Sequence, residues 1–176
     1  MWEGKSQFED LLTGERFRGV PWQWVEEGEI PQPYRRLLCH DRDMTSTLAA
    51  FHEGEVTLKV FQSSRNGDQY LREVLLSVGG KPVEYGVILI SLDHFPPALR
   101  ERILGEREPL GSILNTSGFP YQSCPRGNLE FCDPGFTADI FPSASSGSLF
   151  GRYNALLDSE GRFLARILEI LPRENQ

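Results

Sequence analysis

Tyr70-Leu71-Arg72-Glu73-Val74-Leu75-Leu76-Ser77-Val78-Gly79-Gly80-Lys81-Pro82-Val83-Glu84-Tyr85 decides the fold. Two runs rich in β-branched and aromatic residues flank a two-residue Gly-Gly loop, the pattern of a β-hairpin. Side chains alternate between faces of a strand, so Arg72 shares its face with Val74, Leu76 and Val78. A turn at Gly79-Gly80 predicts that Val78 pairs with Lys81, Leu76 with Val83, Val74 with Tyr85 and Arg72 with Val87. A guanidinium on such a face keeps its proton and needs an anion beside it. That anion is either a structural carboxylate, with Glu84 and Glu169 as candidates, or a bound ligand.

A strand over Glu55 to Gln62 precedes the first run, Tyr70 to Val78, and the second run continues from Lys81 to Leu92. A helix opens near Asp43 with Met44, Leu48 and Phe51 on one stripe; Asp43 or Thr45 caps it, and Gly54 ends it. Pro96 to Leu104 reads as a helix with prolines in its first turn, closed by Gly105, and Pro109 to Leu114 as a shorter helical turn. Phe150 to Leu157 and Arg162 to Leu171 form a closing hairpin. Residues 115 to 148, rich in Gly, Pro and Ser, read as a long irregular flap or insertion. Residues 1 to 33, with Trp2, Trp22 and Trp24, read as an N-terminal arm laying its aromatics over a single domain of residues 34 to 176. Apart from a short helix at Gln7 to Leu12, the arm looks irregular. Successive hairpins with helices between them predict an α+β domain on an antiparallel sheet.

Composition narrows the function classes. The chain has 176 residues and a formal net charge of -7, with no basic run, which argues against a nucleic-acid partner. Residues 1 to 33 are also too short and proline-broken for a winged-helix DNA-binding segment. No apolar stretch is long enough to span a bilayer, and the N-terminus lacks a signal-peptide pattern. The three cysteines, Cys39, Cys124 and Cys132, form no C-x-x-C pair, so a zinc knuckle and a disulfide framework are not expected, and the cytoplasm is the expected compartment. His40, His52 and His94 have no metal spacing. No phosphate loop, Rossmann glycine fingerprint or G-x-S-x-G elbow is present.

Two helix starts join Arg72 as candidates. The backbone amides around Met44 and Leu110 lie in first turns, where free N–H groups and the helix dipole favour an anion. Beside Arg72 they would grip a carboxylate, with the Met44 and Leu110 side chains lining a pocket. Glu169, among Ile167, Leu168, Ile170 and Leu171, is the candidate proton donor or hydrogen-bond partner; otherwise it faces water or pairs with Arg166 or Arg152.

At these residues the chain resembles the chorismate pyruvate-lyase (4-hydroxybenzoate synthase) family and its chorismate-lyase-like relatives. The resemblance rests on Leu37-Leu38 with Asp43-Met44-Thr45, on Leu71-Arg72-Glu73-Val74-Leu75-Leu76 with Gly80-Lys81-Pro82, on Pro109-Leu110-Gly111-Ser112-Ile113-Leu114, and on Leu149-Phe150-Gly151-Arg152 with the closing strand to Pro172. It covers roughly residues 34 to 172, and its second motif is the most specific. It implies an antiparallel sheet flanked by helices, with a ligand held under flaps by Met44, Arg72 and Leu110. It also implies a lyase that converts chorismate to 4-hydroxybenzoate and pyruvate without metal or organic cofactor, with Arg72 and Glu169 as catalytic residues. The alternative is a non-catalytic binding module for a small aromatic acid. A gap-free match places Leu168 where the family carries its glutamate, with Glu169 one residue on. A one-residue step reverses a side chain's face.

Overall fold

Gly79 and Gly80 both adopt positive φ, 56° and 80°, the geometry a two-residue hairpin needs and that glycine reaches without strain. The computed structural model describes residues 4–141 and 147–173. The strands on either side of the turn are β3 (Gln69–Val78) and β4 (Lys81–Ser91). Around them are β1 (Trp22–Val25), β2 (Val56–Asn66), β5 (Gln122–Phe131), β6 (Leu149–Leu157) and β7 (Phe163–Leu171). All seven form one antiparallel sheet in the order β1-β5-β6-β7-β4-β3-β2.

The hairpin begins in the expected register, Val78 opposite Lys81, and then departs from it. Ser77 pairs with Pro82 but Leu76 pairs with Glu84, so Val83 is an extra residue. The bulge falls beside Pro82, which has no ladder N–H to give. Beyond it Val74 faces Gly86 rather than Tyr85, and Arg72 faces Ile88 rather than Val87. The one-residue shift brings Glu84 to the face that Arg72 occupies.

Among the described residues five α-helices join the sheet: α1 (Gly4–Glu9), α2 (Tyr34–Leu38), α3 (Met44–Phe51), α4 (Pro97–Leu104) and α5 (Leu110–Ser117). Asp43 caps α3 by accepting a hydrogen bond from the Ser46 amide at 2.8 Å, as its position before the apolar stripe predicts. That helix ends at Phe51, with His52 as its C-cap two residues before Gly54. Gly105 closes α4 as expected, and α5 runs three residues past Leu114 to a left-handed Gly118.

Each face of the sheet is covered. On one, Leu99, Ile103, Leu110, Ile113 and Leu114 of α4 and α5 pack on Tyr70, Val74, Ile88 and Ile90, while Leu37, Leu38, Met44 and Leu48 of α2 and α3 pack on Leu76, Val83, Phe150 and Leu171. On the other, Phe8, Leu11 and Phe17 pack on Tyr85, Val87, Tyr153 and Leu168. The ring of Phe8 lies 5.1 Å from that of Trp24 and 5.1 Å from that of Tyr153. The N-terminal segment therefore covers the sheet with aromatics, but it is less irregular than its prolines suggest. Trp22–Val25 pairs with β5 and forms the edge of the sheet.

The stretch from 115 to 148 also differs from the expected flap. It contains β5, ten residues that pair along β6 and, over Asn128 to Phe131, with β1 as well. Pro125 and Gly127 lie within that strand, with a register shift between them, which hid its alternation. Trp2, residues 142–146 of the expected flap and residues 174–176 lie outside the described residues.

Candidate functional site

Arg72, Ile88, Ile167 and Asn154 form one row across β3, β4, β7 and β6, and Val74, Gly86, Glu169 and Arg152 form the next. Between these rows and the first turns of α3 and α5 lies a cavity. Its lining includes Met44, Arg72, Glu84, Leu110, Asn154 and Glu169. The four residues singled out in the sequence, Met44, Arg72, Leu110 and Glu169, thus share one enclosure. It is tight: the centres of water-sized molecules have about 40 Å³ within it, and the atom-free space counted out to its mouth is about 490 Å³.

The two helix starts approach each other closely. A Cβ added at Gly111 would come within 2.8 Å of Thr45 Oγ1 and 3.1 Å of Asp43 Oδ1, so only glycine lets α5 begin against the cap of α3. Asn115 bridges the pair, donating to Asp43 Oδ2 at 3.3 Å and Ser46 Oγ at 3.2 Å, and it accepts from the Tyr121 phenol at 2.8 Å. Burial and the nearby Asp43 push that phenol up to about 12. Helix geometry leaves the first-turn amides of α3 and α5 without intrahelical acceptors, and both turns open on the cavity.

Arg72 is fully buried, at 0% exposure. Its Nη1 donates a long 3.4 Å bond to the Ile103 carbonyl, whereas Nε and Nη2 meet no partner among the described residues. Neither Glu84 nor Glu169 pairs with it. Burial pushes its pKa down, and the neighbouring Tyr70, followed by Glu106, offsets part of that; the Tyr70 phenol itself donates to Glu106. A guanidinium stays charged even so, and a buried cation so sparsely partnered is costly.

Glu169 takes a different partner. It accepts from Arg152 Nε at 2.6 Å in an ion pair directly across β6 and β7, with both side chains buried. Arg152 continues into the loop before α3, donating to the His40 carbonyl at 2.8 Å and to the Leu38 and Arg42 carbonyls at 3.5 and 3.4 Å. His40 thus helps seat Arg152, and burial and that cation depress its pKa. Glu169 points to the cavity, while Leu168 packs against the N-terminal aromatics on the opposite face.

Glu84 was legible only as a possible partner for Arg72, because the unbulged register puts it on the wrong face. It is 3% exposed, and its Oε2 has no hydrogen-bond partner among the described residues. Burial first, and then the neighbouring Glu169, raise its pKa well above the usual carboxylate range; Arg152 lowers it only in part. The unfolded chain releases such a proton at about pH 4.3. Above that pH the folded state holds more protons than the unfolded one, so this group's contribution to stability falls as pH rises toward its folded pKa. Urea denaturation between about pH 5 and about pH 8 should therefore show a loss of stability in the native chain that Glu84→Leu reduces. Equal slopes in the two proteins would count against a proton held at Glu84.

Among the described residues no group of three or more His, Cys, Asp or Glu is placed to hold a metal ion, and no helix is long and apolar enough to cross a membrane.

No family model matches the chain, and no curated protein matches it. Solved structures do. PhnF from Mycobacterium smegmatis superposes with a TM-score of 0.58 at 11% identity, over 76% of this chain and 64% of that one. Its separately solved effector domain gives a TM-score of 0.55 at 11% identity, over 74% of this chain and 88% of the domain. The fold is the chorismate-lyase-like α+β fold. At such identities the likeness speaks to the fold alone, and the chain spans 64% of the PhnF chain. A GntR-family transcriptional regulator from Bacillus cereus has a TM-score of 0.48 at 12% identity, over 69% of this chain and 96% of that one.

Proposed function

We propose that this chain is a ligand-binding module for a small aromatic carboxylic acid, held in the cavity under α3 and α5 without chemical conversion. The observation that carries this reading is the Arg72 guanidinium, enclosed and without a carboxylate partner. A ligand carboxylate would accept from Nε and Nη2, a side-on bidentate pairing, and the first-turn amides near Met44 and Leu110 would complete its coordination. Apolar walls from Leu58, Val74, Ile88 and Leu156 suit a ring. The fold likeness to a domain named as an effector domain supports the same reading.

The second reading, a lyase acting on chorismate, is favoured by Glu169 facing the same cavity as Arg72. Two features rank it lower. Arg72 is the one cation among the described residues of the lining, whereas chorismate brings two carboxylates. Glu169 would also have to leave its 2.6 Å contact with Arg152 to move a proton.

Calorimetric titration with 4-hydroxybenzoate tests the first reading, and pyruvate release from chorismate tests the second. The expected result is saturable binding that raises the unfolding free energy by about 2.7 kcal/mol at one hundred times Kd, with pyruvate no faster than the uncatalysed background. Folded protein that shows no heat and no stabilisation at millimolar acid would sink the proposal. Pyruvate formed above background would replace it with the lyase.

A further inference from the structure

We propose that Glu84 is the second polar anchor of this cavity. It would donate a hydrogen bond to a hydroxyl or carbonyl oxygen at the end of the ligand remote from its carboxylate, so that the site selects oxygen-bearing aromatic acids over the plain acid. The inference rests on the reading that Arg72 takes a carboxylate there.

The geometry comes from the bulge and from one glycine. Glu84 sits four residues from Ile88 along β4, and Ile88 is the residue opposite Arg72. Gly86 lies between them. A Cβ at Gly86 would meet Glu84 Oε1 at 3.2 Å and Val74 Cγ2 at 3.1 Å, so the Glu84 carboxyl folds back over the space that a side chain would fill. It thereby stands on the Arg72 side of its own Cα, about two residues, or roughly 7 Å, along the strand from the Ile88 row. A single substituted ring bridges a gap of that order.

The neighbouring groups leave Glu84 available. Arg152 is engaged by Glu169 and by the carbonyls of the loop before α3. Glu84 Oε2, nine-tenths or more buried with the rest of its side chain, is left without a hydrogen-bond partner among the described residues. Burial beside a second carboxylate favours the protonated form of Glu84, and a protonated carboxyl offers the site an O–H donor rather than a second negative charge to repel an acid. An unpaired buried polar atom is a standing cost unless a ligand satisfies it, and here it lines the same enclosure as the unpaired guanidinium.

Calorimetric titration of benzoate and 4-hydroxybenzoate into the native chain, Glu84→Gln and Glu84→Leu tests the assignment. The native chain should bind the hydroxy acid about tenfold more tightly than benzoate, the worth of one neutral hydrogen bond. Glu84→Gln, whose amide still donates, should keep most of that preference. Glu84→Leu should lose it while binding benzoate at least as well. A native chain indifferent to the hydroxyl overturns the role of Glu84 alone, as does a Leu variant that keeps the preference. If neither acid binds the folded native chain, the carboxylate reading of the cavity falls, and this assignment falls with it. Glu84→Gln is close in shape to the native residue and keeps the comparison decisive if the Leu variant does not fold.

Discussion

Arg72→Met is expected to weaken 4-hydroxybenzoate binding at least about a hundredfold while leaving the unliganded protein no less stable. The binding loss follows from two charge-assisted hydrogen bonds, each worth about 1.5–3 kcal/mol, made by the nitrogens that now lack partners. The stability expectation runs against the usual rule for buried arginines. Where a guanidinium is half of an ion pair, removing it strands the other charge and costs about 3–5 kcal/mol. Here no described carboxylate is paired with Arg72, and its Nη1 makes only a 3.4 Å contact to a backbone carbonyl. Methionine fills much of the same volume without a charge to desolvate, so the apo protein should hold its stability or gain about 1–3 kcal/mol. Urea denaturation and calorimetric titration of the same preparation measure both quantities. A variant that loses several kcal/mol of stability and still binds the acid would mark Arg72 as structural. Loss of binding with stability retained is the pattern of a residue kept for function at a cost to folding.

How much of this was legible in the residues depended on whether local signals decided it. The Gly-Gly turn, the Asp43 cap, the prolines opening α4 and α5 and the strand bearing Arg72 are local, and they place the elements correctly. The anion argument selected Met44, Arg72 and Leu110, and those three do line one cavity. What escaped were features set by neighbours in space. The bulge at Val83 is one residue in a strand whose own alternation looks regular; it moves Glu84 to the cavity face, and its one local mark is the neighbouring Pro82. The β5 strand carries Pro125 and Gly127, which local propensity counts against a strand, yet pairing with β1 and β6 settles it. The partner of Glu169 turned on which of several arginines lay directly across the sheet. Register fixed Arg152 for that place, where composition had left Arg166 equally eligible.

The Arg152–Glu169 pair carries the other large expected effect. Arg152→Met should destabilise the protein by about 3–5 kcal/mol, because Glu169 would remain buried without its partner and beside Glu84. The loss should extend beyond the pair. Arg152 also ties down the carbonyls of Leu38, His40 and Arg42, and that loop delivers Asp43 and Met44 to the mouth of the cavity. Acid binding should therefore weaken too, although Arg152 is not among the residues lining the cavity. The double variant Arg152→Met with Glu169→Leu separates the two contributions. If stranded charge dominates, removing the second partner should recover most of the stability, since a buried ion pair is worth little more than well-packed apolar side chains of the same volume. Binding should stay weak, because the loop carbonyls are still untethered. A coupling energy in the double-mutant cycle near zero would mean that Arg152 acts mainly through the loop. A double variant that regains both stability and binding would mean that its contacts with residues 38–42 do not position the site.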